Sequence, residues 1–207
     1  MIKKISFLVA VFCLLIPTIL TAQSQSEFKP RKSFGMKVEE GSLLPLKSAD
    51  VKADVYFDYT DCIVNDKTSL YGADAAGDEI TTTIITELND GEKSFFNTFK
   101  ENWSDKHCQL IPEGNESPYK IEIKVYKLKR WEAKGMFGGR FTHIFGLISI
   151  YDNSTSTKIA TINFASGDKI VGGKKRPFAE LTQLMYGYLA IDFAKQINKA
   201  KAPKTKK

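Results

Sequence analysis

The C-terminal part of this chain carries its clearest helical pattern, and that pattern constrains what the rest must build. Between Phe178 and Asn198 the apolar side chains recur every four residues, at Leu181, Met185, Leu189, Phe193 and Ile197. Pro177 precedes this segment and suits the first turn of a helix. A helix with one apolar stripe is stable only when the stripe is packed against another layer. The remaining sequence must therefore supply that layer.

Alternating segments upstream predict a sheet. Residues 52–61 place Ala53, Val55, Phe57 and Tyr59 on one side and Asp54, Tyr56 and Asp58 on the other, a period of two typical of a half-buried strand. Further strands are predicted at 108–111, 119–131, 141–151 and 158–166. In the segment 119–131 the apolar positions change phase after Val125, which predicts a bulge or an open face that carries aromatic side chains.

A second helical pattern separates the first strand from the others. Residues 79–104 carry apolar positions at spacings of three and four, interrupted at Asp90 and Gly91, where Asp90 is expected to cap a second segment. The element order predicts an α+β fold: two layers, with a mainly antiparallel sheet and two helices packed on one face. Residues 51–198 form one predicted domain, preceded by an extended lead-in (25–50) and followed by a basic, disordered tail (199–207).

The N-terminal residues have the pattern of an export signal. Lys3 and Lys4 precede an apolar run of fourteen residues, from Phe7 to Leu20, and small or polar residues follow. The run is shorter than the roughly 20 residues of a membrane span, so residues 1–24 are predicted to be a secretory signal peptide. Cleavage after Ala22 or after Ser24 remains open, as does an uncleaved anchor. The mature protein is predicted to be periplasmic or secreted, with no membrane span.

The net charge excludes one class of partner. The whole chain has a formal charge of +6, but it falls to +4 without Lys3 and Lys4, and to −1 without the five lysines of residues 199–207. The body of the protein is therefore almost neutral. A nucleic-acid-binding domain would carry its basic residues on a folded face, so no nucleic-acid partner is expected.

Few residues suggest catalysis. His107 lies beside Cys108, but adjacent strand residues point to opposite faces and would not share a metal ion. His143 alternates with Phe141 and Phe145 and is expected at the edge of the core rather than as a catalytic base. No catalytic residue, metal or cofactor is predicted. The one carboxylate pair on a common strand face, Asp54 and Asp58, leaves a hydrolase as the least favoured alternative.

Two cysteines follow the signal segment, Cys62 and Cys108, and an oxidising compartment would permit a disulfide between them. Cys62 lies at the end of the first strand, and Cys108 at the beginning of a later one. Adjacent antiparallel strands would bring the two together, whereas parallel strands would keep them apart. Both a bridge and two separate buried thiols remain open.

Two surfaces are candidates for binding. The glycine-rich loop Gly135–Arg140 lies between strands, which fits a flexible hairpin or a loop that presents apolar side chains to a partner. The second surface is the polar side of the sheet. The candidate binding residues are Met136, Phe137, Arg140, Tyr56, Tyr126 and Leu128.

The element order, together with three short segments, is similar to known envelope proteins. The segments are Thr21–Ala22–Gln23, Gly135–Arg140 and Asp152–Ala160. The chain resembles uncharacterised secreted envelope proteins of Bacteroidota, and its layout resembles the periplasmic fold of the TolB N-terminal domain and of LpoB-type lipoproteins. The resemblance covers about residues 50–198, implies a non-catalytic envelope role and transfers no site residues.

The predicted function is therefore non-catalytic binding of another envelope component, either a protein or a polymer. A small-molecule or lipid-binding module is the alternative, with its pocket between the sheet and the helices.

Overall fold

The structure is a computed structural model that describes residues 35–71, 79–103, 107–112, 117–134, 138–166 and 176–201. Its two helices are α1 (Glu79–Trp103) and α2 (Phe178–Lys199). Its strands are β1 (Gly35–Gly41), β2 (Lys52–Asp58), β3 (Ile63–Val64), β4 (Thr68–Ser69), β5 (Gln109–Pro112), β6 (Tyr119–Ala133), β7 (Gly139–Asp152) and β8 (Thr157–Ala165). The predicted α+β class is confirmed.

The sheet is mixed, with the strand order β1-β8-β7-β6-β2-β5, and β3 beside the far end of β6. The ladders β8/β7 and β7/β6 are antiparallel, as expected, and β1, which was not predicted as a strand, is antiparallel to β8. By contrast, β2 runs parallel to both β6 and β5. The reason is that α1 connects β2 to β5, and a helical crossover returns the chain in the same direction.

Both helices cover one face of the sheet. From β2, the ring of Phe57 contacts Phe95 of α1 at 5.4 Å between centroids and Tyr186 of α2 at 5.7 Å. Phe95 and Tyr186 are fully buried. The inward residues of the sheet, such as Ile148 on β7, are buried beneath them. We call this side of the sheet the covered face.

The first helix is continuous across the predicted break. Asp90 does not cap a second segment but pairs with Lys93, one turn later, at 2.9 Å. Gly91 lies inside the helix because α2 approaches closely there: a Cβ atom on Gly91 would lie 2.8 Å from Cδ2 of Tyr186. The glycine thus marks a helix–helix contact and not a helix end.

The predicted bulge is present in β6, where the register against β7 shifts between Val125 and Lys127. The extra residue is Tyr126. After the bulge, Leu128 returns to the same side as Val125 and is buried at 1% exposure. The phase change in the sequence therefore reflects a bulge that keeps Leu128 in the core.

Residues 35–50, which belong to the predicted extended lead-in, form an edge strand and a short segment that packs on the body. β1 pairs with β8 along the sheet edge. Leu43 and Leu46 are buried, whereas Leu44 is 39% exposed. The signal-peptide prediction and most of the basic tail fall outside the described residues. Within the described ranges, neither helix is both long and apolar enough to cross a membrane.

Candidate functional site

The side of the sheet opposite the helices, here called the open face, is formed by alternate residues of β2, β6 and β7. The pairing of β6 with β7 sets Trp131 opposite Phe141, Lys129 opposite His143 and Lys127 opposite Phe145. Because strand residues alternate between faces, these six side chains share the side that the buried Ile144 does not occupy.

An aromatic cluster lies at one end of the open face. The rings of Trp131 and Phe141 stack at 5.0 Å between centroids with an interplanar angle of 13°. His143 meets the Trp131 ring edge-on at 4.8 Å, and Phe145 follows at 6.3 Å from His143. Trp131 remains 40% exposed, whereas His143 is 7% exposed. We call these four residues the aromatic cluster.

Two lysines beside the cluster share one aspartate. Lys127 Nζ lies 2.6 Å from Asp66 Oδ1, and Lys129 Nζ lies 3.2 Å from Asp66 Oδ2. Asp66 belongs to the turn after β3, with a positive φ of 59°. Hydrogen bonds from the two ammonium groups hold the pKa of the Asp66 carboxyl below its ordinary value. The ammonium of Lys127 also lies 5.8 Å from the centre of the Phe145 ring.

A second ionic group lies along β6. Lys124 pairs with Asp61 and also with Asp58, at 3.7 Å from Oδ2. Burial by itself would raise the pKa of Asp58, but hydrogen bonds from Thr60 and the charge of Lys124 lower it below the ordinary value. The polar part of the open face therefore contains charges of both signs that largely neutralise one another.

The carboxylates of the hydrolase alternative do not form a working pair. Asp54 and Asp58 are both buried, at 8% and 9% exposure, but they are four residues apart on one strand. Four strand residues span about 13 Å, whereas paired carboxyl groups that cleave one glycosidic bond lie about 5–9.5 Å apart. Asp58 is also engaged with Lys124.

The candidate binding residues do not form one surface. Tyr56 is 36% exposed on the open face, beneath the ammonium of Lys120 at 5.3 Å. Tyr126 is half-buried in the bulge, and burial raises its pKa. Leu128 lies in the core and is removed from the surface, because the bulge turns it inward. Met136 and Phe137 lie outside the described residues.

Arg140 is on the other side of the sheet. It lies opposite Glu132 and pairs with it at 3.5 Å. Its guanidinium lies 5.5 Å from the ring of Phe178, the first residue of α2. Arg140 is thus separated from Tyr56 and from the aromatic cluster by the sheet itself.

The sequence predicts His143 at the edge of the core but does not predict the cluster around it. The missing step was the hairpin register, which sets Phe141 against Trp131. A signal was present in the alternation of Phe141, His143 and Phe145, whose three aromatic rings fall on the same side as the lysines of β6.

The two cysteines remain separate. β2 and β5 are parallel, so Cys108 lies before the start of β5, and Cys62 lies beyond the far end of β2. Both are free thiols in the structure, and burial raises the pKa of each to about 12. Of the two alternatives, the separate buried thiols are observed. Within the described ranges no group of three metal-ligating side chains is found.

No protein-family model matches the chain, and no curated protein matches it. Among solved structures it is similar to a PelC dodecamer from Paraburkholderia phytofirmans, with 13% identity, a TM-score of 0.42, and coverage of 82% of this chain and 99% of that one. A variant of that PelC gives 13% identity, a TM-score of 0.43, and coverage of 78% and 95%. A minor lipoprotein from Acinetobacter baumannii gives 15% identity, a TM-score of 0.37, and coverage of 73% and 96%.

Proposed function

We propose that this protein is a non-catalytic, exported envelope protein that binds another envelope protein through the open face of its sheet. The observation that carries the proposal is the aromatic cluster, in which Trp131 remains 40% exposed although it stacks on Phe141. A large aromatic side chain at the surface, fixed by its neighbours, is typical of the residues that dominate protein interfaces.

The charges around the cluster favour a protein partner. Protein interfaces have an apolar, aromatic centre and a polar rim. Here the rim carries both signs: Asp66 pairs with Lys127 and Lys129, and Lys124 pairs with Asp58 and Asp61, so that these three lysines and three aspartates balance. An anionic polymer or an anionic lipid surface would be attracted by unpaired cations. These lysines are already engaged, so a partner with charges of both signs is the better match.

Two further arguments support the proposal. The N-terminal pattern of Lys3, Lys4 and the apolar run Phe7–Leu20 predicts export. The side chains that suggested catalysis have structural roles, since His143 is packed among aromatic rings and Asp58 is ion-paired. The first argument supports the envelope location, and the second supports a non-catalytic role.

A photo-crosslinking experiment tests this function in the native host. Phe141 is replaced by p-benzoylphenylalanine, and the envelope fraction is irradiated and separated by mass. We expect one adduct whose added component is digested by protease, which identifies that component as a second protein, and we expect Trp131→Ser to abolish the adduct. The control carries the photoprobe at Leu44, an apolar position outside the sheet that is 39% exposed, and should give no such adduct.

The other outcomes each contradict the proposal. An added component that survives protease digestion of the adduct would identify a polymer or a lipid as the partner. An adduct of twice the chain's own mass would make the open face an interface between copies. Equal adducts at Phe141 and Leu44 would show non-specific capture.

A further inference from the structure

A groove outside the open face lies between α1 and the strand β5. It encloses about 800 Å³, within the range of about 300–1,000 Å³ found for small-molecule sites. β5 is the last strand in the sheet order, after β2, so its outer edge faces the groove. This site is independent of the proposed function.

The interior of the groove is apolar. Phe99 and Cys108 are buried at its base, at 2% and 0% exposure. Phe96, Leu110 and Ile111 are half-buried and form its walls. β5 is only four residues long and does not cover the whole apolar stripe of α1, so part of that stripe lines the groove.

The edge of β5 is poorly suited to receive another strand. Gln109 donates its backbone N–H to the carbonyl of Val51. The backbone N–H and C=O groups of Gln109 and Ile111 therefore point toward β2. In a parallel ladder the intervening residues face the other way, which leaves Leu110 and Pro112 at the outer edge. Pro112 has no N–H to donate, and proline on an edge strand opposes strand addition. An extended peptide is therefore a poor occupant.

The polar part of the lining is cationic. Lys93 and Lys100 lie seven residues apart on α1, about 10 Å along the axis, with Asn97 between them, and the described residues of the lining include no acidic side chain. Lys93 already donates to Asp90. Lys100 lies in the last turn of the helix and is available for an anion.

The chain's own apolar run is a poor match for this groove. The run Phe7–Leu20 follows Lys3 and Lys4, so its charged end would meet Lys93 and Lys100 with the same sign. The groove instead matches a molecule with a long apolar body and one anionic head. We propose that it binds a long-chain fatty acid, with the acyl chain along Phe96 and Leu110 and the carboxylate at Lys100.

Titration of the delipidated full chain with palmitate, followed by calorimetry, tests this proposal. We expect one palmitate per chain and at least tenfold weaker binding of octanoate, because fewer methylene groups leave water. Lys100→Gln should weaken palmitate binding about tenfold and leave binding of hexadecanol unchanged. Asn97→Glu, at an exposed position in the lining, should weaken palmitate binding at least as much.

The matched control is Lys158→Glu, which reverses an exposed lysine on β8 far from the groove. It should bind palmitate like the unchanged chain. Absence of palmitate binding, or an equal loss in Lys158→Glu and Lys100→Gln, would overturn the proposal. So would a change of oligomeric state in Asn97→Glu without a change in palmitate affinity, since the groove would then be an interface between copies.

Discussion

The two faces of the sheet use aromatic residues in opposite ways. On the covered face, Phe57 and Phe95 are packed between the sheet and the helices and are almost inaccessible. On the open face, Trp131 and Phe141 stack on one another with no helix above them in the described part of the chain. Composition alone does not separate these cases, because both faces carry rings at alternate positions. The helices decide which rings form the core.

The pKa values of carboxyl groups also differ between the two faces. On the covered side, Tyr59 donates a hydrogen bond to Glu92 and lies 2.7 Å from Tyr186, hydroxyl to hydroxyl. Burial raises the pKa of Glu92. On the open side, Asp58 has a lowered pKa and an ionic partner. Burial therefore disfavours the charged form of Glu92 on the covered face, whereas Thr60 and Lys124 favour the charged form of Asp58 on the open face.

The largest expected effect is that of Phe95→Ala. Phe95 is fully buried and contacts Phe57, Phe96 and Phe99. Truncation leaves a cavity that the helices cannot fill, so the free energy of unfolding should fall by about 3–5 kcal/mol. Denaturant unfolding measures the change. A loss below about 1 kcal/mol would mean that the covered face is not the core.

Two helix glycines give the next comparison. Gly91→Ala should destabilise the protein by about 1–3 kcal/mol, because its Cβ would lie 2.8 Å from the ring of the buried Tyr186. Gly187→Ala is the matched control, since its Cβ would lie 3.2 Å from the rotatable Oγ1 of Thr98. There the gain in helix propensity offsets the contact, and thermal unfolding should change little. Equal losses in both variants would contradict the close approach at Gly91.

Trp131→Ala should have a smaller effect on stability than either change on the covered face. The side chain is 40% exposed, and its stacking on Phe141 contributes about 0.5–1.5 kcal/mol. We expect a loss of about 1–2 kcal/mol in denaturant unfolding, mostly from that stacking and the partly buried ring. A loss as large as that of Phe95→Ala would place Trp131 in a core.

The smallest effects are pH-dependent and of opposite sign. The folded pKa of Glu92 is raised above 4.5, so the folded state binds more protons and stability rises as the pH falls through that pKa. Glu92→Gln keeps an acceptor for Tyr59 and should remove this rise. The folded pKa of Asp58 lies below 3.8, so its stabilisation is present above pH 3.8 and is lost as the pH falls through the folded value.

Urea midpoints from pH 7 to pH 3 separate the two contributions. Asp58→Asn should lose the acid-dependent decrease and keep the rise that Glu92 produces. The same pH profile in both variants would mean that neither carboxylate is responsible.

Local periodicity predicted most of the fold. Periodicity shows which side of an element is buried. Three such patterns correspond to features of the structure: the apolar stripe of α2, the alternation of β2 and the phase change in β6. Pairing between distant segments is not encoded in periodicity. The parallel alignment of β2 with β5 and the addition of β1 to the sheet were therefore not predicted.

The candidate site was less predictable for a related reason. Leu128 is predicted on the polar side of the sheet because a bulge and a change of face cannot be distinguished within one strand. Arg140 is predicted at a binding surface because it ends the glycine-rich loop of Met136 and Phe137. The hairpin register turns Leu128 into the core and Arg140 toward Phe178, and it brings Trp131 to Phe141 instead. A site assembled across strands requires that register, which the residues of one strand do not specify.

The most direct test of the open face measures binding and stability in the same Trp131→Ser protein. If the aromatic cluster binds a partner, the Phe141 photo-adduct should disappear while the protein remains folded, with a stability loss of about 1–2 kcal/mol. An undiminished adduct, or a protein that no longer folds, would contradict the assignment of this face to binding.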